Sequence, residues 1–128
     1  MIAAGTALLV CTAGGIGAAL RFVLDGLIRT RVHSTYPVAT TVINLSGSLL
    51  LGFLTGLAAS QLLPPQWHLI VGTGLLGGYT TFSTASFETV RLLEDHRPIA
   101  AALNGLGMLI VGTAAAALGF GIALAATR

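Results

Sequence analysis

A stretch that resists a regular helix lies inside an apolar segment of this chain. It reads Gly77-Gly78-Tyr79-Thr80-Thr81-Phe82-Ser83-Thr84 and follows the apolar run Leu69–Leu76. Adjacent glycines followed by adjacent β-branched threonines make a poor helix interior. In lipid, the backbone groups freed by a break must face protein, a cavity or an ion. A broken membrane helix also has two chemically distinct ends. Carbonyls closing the first half suit a cation, and N–H groups opening the second half suit an anion. The stretch therefore points to ion handling.

The surrounding composition is that of a membrane protein. Of the residues, 55% are apolar and only 8% charged, and the mean hydropathy is +0.92. Each span needs about 20 apolar residues. Four segments meet this, roughly Ile2–Leu27, Val38–Leu63, Leu69–Phe87 and Ile99–Ala126. Short connections carry Tyr36-Pro37, Pro64-Pro65 and Glu94–Pro98. The expectation is an all-α membrane protein forming a single domain over residues 1–128.

Charge places the connections. Arg29, Arg31, Arg91 and Arg97 fall at the first and third connections, while the other side holds only Arg128. The excess of positive charge assigns the Arg29 and Arg91 side to the cytoplasm. Asp25, Glu94 and Asp95 near the same ends make the bias modest. Such a weak bias leaves insertion in both orientations open. A net charge of +2 spread along the chain gives no nucleic-acid footprint. Cys11 is alone, so no intrachain disulfide is expected. Leu8-Leu9-Val10-Cys11 lacks a preceding basic residue, and no cleaved signal is expected there.

Polar residues inside the spans are the next signal. Thr40, Asn44 and Ser48 recur at i, i+4 and i+8, on one helix face. The Asn44 amide has two N–H donors, as an anion requires; an interhelical hydrogen bond is the competing reading. Hydroxyls at Thr40 and Ser48 commonly bond back to their own helix. Phe82 follows the break, where the positive edge of its ring would face a dehydrated anion; plain packing is the alternative. Tyr79 reads as a packing or interface residue. Arg21 reads either as a snorkelling side chain or as a cation drawing anions inward. Glu88 and Arg91, three apart, read as an exposed pair. Seventeen glycines include Gly52-Phe-Leu-Thr-Gly56, Gly74-Leu-Leu-Gly77 and Gly14-Gly15-Ile16-Gly17. These patterns fit helix packing within one unit and a dimer interface equally. No nucleophile elbow, phosphate loop or metal-ligand spacing is present, so no enzyme is expected.

Three motifs together carry a family resemblance: Gly14-Gly15-Ile16-Gly17-Ala18-Ala19-Leu20-Arg21-Phe22, Thr41-Val42-Ile43-Asn44-Leu45-Ser46-Gly47, and Gly74-Leu75-Leu76-Gly77-Gly78-Tyr79-Thr80-Thr81-Phe82-Ser83-Thr84. The chain resembles the small bacterial Fluc-type, or CrcB-like, fluoride channels over essentially its whole length. The resemblance implies an antiparallel, dual-topology homodimer of four-helix subunits in the bacterial inner membrane, with the third helix broken near Gly77–Thr81. It implies passive fluoride export through two pores and a structural central Na⁺ held by the backbone carbonyls of Gly77 and Thr80. Asn44 and Phe82 would line the fluoride path, with Thr40, Ser83 and Thr84 as polar neighbours and Arg21 near the pore mouth. This chain departs from the pattern at Ala85, where the family has phenylalanine. Residues 82 and 85 share a helix face, so one aromatic edge is missing and altered conduction is expected. The last span also lacks a hydroxyl ladder, with Asn104, Met108 and Gly112 on the corresponding face.

Two other classes of membrane protein share some of these features. A proton-coupled exporter needs a carboxylate well inside a span, and Asp25 and Glu88 lie near span ends. A structural subunit of a larger complex accounts for glycine-packed helices but not for Asn44 together with the break.

Overall fold

A computed structural model describes residues 2–128. Helix α1 spans Ala4–Arg31 and α2 spans Val38–Ala59. Helix α3 covers residues 65–79, with Pro65–Trp67 and Gly77–Tyr79 α-helical and His68–Leu76 wound as a wider π-helix. Helix α4 spans Phe82–Glu94. Helix α5 spans Pro98–Ala126, with a π-helical stretch at Leu103–Gly107. Helices α1, α2 and α5 are each long and apolar enough to cross a membrane. The third crossing is made jointly by α3 and α4. The chain is a multi-pass, all-helical membrane protein.

Local chemistry explains the helix ends. After α2 and α4 the chain turns through Gln61 and His96, both at positive φ. In each case the next two N–H groups reach back: Gln61 to Ala58 and Leu62 to Leu57, then His96 to Leu93 and Arg97 to Leu92. This paired closure satisfies carbonyls that a helix end otherwise leaves free. Pro65 and Pro98 follow and begin the next helix, where a missing N–H costs nothing.

Contacts between connections fix the up-and-down order. Arg97 donates to the Thr35 hydroxyl at 2.8 Å, joining the first and third connections. At the opposite end Ser60 pairs with Thr127 and Gln66 with Thr6. The arginine-bearing connections thus share one side, as their charge implied.

Small residues set the packing. A Cβ on Gly78 would collide with the Gly14 carbonyl, and one on Gly17 with the Leu75 carbonyl, so α1 and α3 meet backbone to backbone. Gly52 and Gly119 do the same for α2 and α5, against the Ala116 and Leu49 carbonyls. These glycines serve packing within one chain, the first of the two uses their pattern allowed.

The break sits later than the glycines. Gly77 and Gly78 remain helical, and the interruption falls on Thr80 and Thr81, both extended with ψ of 161° and 121°. The glycine pair brings α3 onto α1; the threonine pair does the breaking. Beyond it the new helix runs to Glu94, past the Phe87 boundary expected for the third span.

Candidate functional site

Asn44 holds the break open. Its Oδ1 accepts the Thr81 N–H at 2.8 Å and its Nδ2 donates to the Thr81 carbonyl at 2.8 Å. One side-chain amide thereby satisfies both backbone groups of a residue that is only 7% exposed. A buried peptide group left without such a partner would be costly. Gly47, one turn on, makes the approach feasible, because a Cβ there would strike the Thr80 methyl and crowd the Tyr79 ring. Tyr79 also packs against α2, with its hydroxyl 2.9 Å from Ser46 Oγ.

The two helix ends at the break differ in charge character. Thr81 N–H bonds Asn44 rather than the Gly77 carbonyl. The Thr80 carbonyl accepts from the Arg21 guanidinium at 3.3 Å. Arg21 therefore points at the break, and the snorkelling reading gives way. On the other side Thr81 caps α4: its Oγ1 accepts the Thr84 N–H at 3.2 Å. Phe82 and Ser83 are the first two residues of α4, so their N–H groups have no preceding turn of that helix to bond. Carbonyls closing α3 thus lie within a few residues of amide donors opening α4.

These groups open on a cavity of about 510 Å³. Asn44, Ser48, Thr80, Phe82, Ser86 and Met108 are among its lining residues, as are Ala85 and Asn104. Phe82 is 88% exposed in the single chain. Asn104 is fully buried and donates to the Ala85 carbonyl and to Thr89 Oγ1, at 3.2 and 2.9 Å. Its Oδ1 has no partner among the described residues.

The remaining sequence-predicted residues lie elsewhere. Ser83 and Thr84 form a hydroxyl group with Thr81 at the start of α4 and do not line the cavity. Thr40 is 1% exposed and donates to Glu88 Oε1, across to α4 rather than back to its own helix. Glu88 is not half of an exposed pair with Arg91. Its side chain is 13% exposed, pairs with Arg29 at 3.6 Å, and Arg29 in turn bonds Asp25 at 2.8 Å. The i, i+3 spacing named a neighbour on the same helix, but burial favours partners on α1 and α2. Glu88 Oε2 is buried without a partner among the described residues. Held between Thr40 and Arg29, Glu88 is a tethered carboxylate. Glu88→Ala should strand the buried Thr40 hydroxyl and destabilise the fold by about 2 kcal/mol, with Glu88→Gln costing less. Denaturation in detergent measures the difference.

A polytopic helix bundle with a side-chain-braced break in its third crossing defines a multi-pass membrane protein. Residues 8–120 match the family described as CrcB-like protein, Camphor Resistance (CrcB), and the chain belongs to that family. It is 50% identical over 123 residues to "Fluoride-specific ion channel FluC 1" of Leifsonia xyli, an alignment covering 94% of this chain and 90% of the relative. It is 46% identical to "Fluoride-specific ion channel FluC 2" of Mycobacterium bovis, covering 86% and 84%. "Fluoride-specific ion channel FluC 3" of Bifidobacterium longum is 45% identical, covering 88% and 93%.

Proposed function

We propose that this protein is a passive, fluoride-selective channel that lets the ion leave the cytoplasm. The observation that carries the reading is the cavity at the break, where the Asn44 amide, the Ser48 hydroxyl and the edge-bearing Phe82 ring converge. Fluoride is small and tightly hydrated. A dry path must replace its water with closely placed donors, and each station must bind weakly enough to release it. Amide and hydroxyl donors at successive positions meet both needs, and a phenyl edge adds a weak electropositive wall. The relatives' channel names support the choice of ion.

The functional unit in this reading is an antiparallel homodimer of dual topology with two pores. The supporting argument is energetic. Thr73, Thr80 and Ser86 open into the same cavity on the surface of a single chain. Polar groups at membrane depth are costly against lipid, and a second copy covers them. Inverted pairing fits the modest charge bias between the two sides.

A central Na⁺ belongs to the same proposal. The carbonyls of Gly77 and Thr80 are the oxygens that would hold it, the Thr80 oxygen sharing its position with the Arg21 guanidinium, and no residue packs on the Gly77 Cα from another part of the chain. Neutral oxygen donors suit a hard cation. Such an ion would supply positive charge at the break; the chain's part is to present the carbonyls.

Ala85 lines the cavity beside Phe82. Ala85→Phe should restore a second aromatic edge and raise fluoride flux by about tenfold, the equivalent of about 1.4 kcal/mol. Fluoride-electrode recordings of vesicles carrying each form measure it, and equal rates would remove residue 85 from the path. The function itself is tested by growth. A bacterial strain lacking its own fluoride exporters should regain fluoride tolerance when it makes this protein. Continued sensitivity with the protein present in the membrane would contradict the proposal.

A further inference from the structure

We propose that Met108 is a displaceable gate over Asn44, its thioether occupying the amide N–H that a permeating anion must use. The inference rests on the channel reading. Asn44 has two N–H donors. One is spent on the Thr81 carbonyl at 2.8 Å, and Nδ2 also donates to Met108 Sδ at 3.1 Å. Freeing the first would reopen a buried backbone carbonyl. The second is held only by a thioether, a weak acceptor. An anion forms a charge-assisted hydrogen bond about twice as strong as a neutral one, so fluoride can take this N–H from sulfur.

The surroundings allow the exchange. Met108 is half-buried and lines the same cavity as Asn44. Methionine is unbranched with three rotatable bonds, so it changes shape at low cost. Its side chain leans over the preceding turn of α5, where Gly105 contributes no side chain and is itself exposed. The gate closes when the N–H meets sulfur and opens when sulfur swings toward Gly105. Fluoride thereby meets a donor that is never left bare in the apolar interior, and its occupancy at Asn44 is moderated by a competitor built into α5.

The test compares the full-length protein with Met108→Leu and Met108→Ala, each first checked for an unchanged melting profile in detergent. Initial fluoride efflux from vesicles is recorded against internal fluoride concentration. Removing the sulfur competitor should lower the half-saturating concentration by about two- to tenfold, the range set by the loss of one hydrogen bond. Altered packing alone would change the maximal rate without this directional shift in concentration dependence. If only one variant folds, that variant decides. A conducting parent whose variants keep or raise its half-saturating concentration would overturn the gate and leave the channel intact. A parent that passes no fluoride would overturn the channel reading and the gate with it.

Discussion

Asn44→Ala should cut fluoride flux steeply and loosen the fold at the same time. The amide contributes one donor and one acceptor to Thr81, both at 2.8 Å. Removing it leaves a buried N–H without a partner and weakens the bonding of the Thr81 carbonyl. At about 1–3 kcal/mol for an unsatisfied buried group, a loss of about 2–4 kcal/mol is expected. Flux should fall by about 100-fold, because a charge-assisted donor is lost from the path as well. Asn44→Asp separates the two effects. It keeps an acceptor for the Thr81 N–H but sets negative charge against the Thr81 carbonyl and in the way of an anion. Thermal unfolding and fluoride efflux measured on both variants give the comparison. Retention of parental flux by Asn44→Ala would remove this residue from the path.

The second large effect belongs to the packing of α5 on α2. Gly119→Ala should destabilise the subunit by about 3 kcal/mol, at the upper end for overpacking. A Cβ there would collide with the Leu49 carbonyl, and the Phe53 N–H lies 2.9 Å away. Backbone atoms of a neighbouring helix cannot step aside as a flexible side chain does. Gly121, two residues on, has nothing within 4 Å. Gly121→Ala should therefore be neutral, or gain up to about 1 kcal/mol from better helix propensity. Denaturant titration of the two variants measures the contrast. Similar stability for both would mean that the α2–α5 interface accommodates a methyl group.

Much of this architecture was legible from residue order. Run lengths of apolar residues marked four crossings, and the arginines marked the side shared by the first and third connections, which Arg97 and Thr35 join. The helix-hostile run Gly77–Thr84 placed a break inside the membrane. Its position within the run was less legible, because two glycines satisfy both a break and a close approach. Gly78 lies against Gly14 and stays helical. Periodicity placed Asn44 on a polar face but named no partner, since Thr81 is 37 residues away in sequence. The same limit applies to Glu88, whose partners Thr40 and Arg29 come from two other helices. Local spacing offered Arg91 instead. Met108 carried no polar signal, and its role emerges only when its sulfur is found on the Asn44 amide. Thr40, Ser83 and Thr84 show the reverse case: each bears a hydroxyl where an anion path invites one, but Thr40 bonds Glu88 across to α4, and Ser83 and Thr84 join the Thr81 cap that opens α4.

The central claim is selective fluoride conduction. Purified protein is reconstituted into liposomes loaded with equal fluoride and chloride, and both ions are followed by electrode after the electrical potential is released with a potassium ionophore. The account predicts rapid fluoride loss with chloride retained. Equal loss of both ions, or retention of both by folded protein, would contradict it.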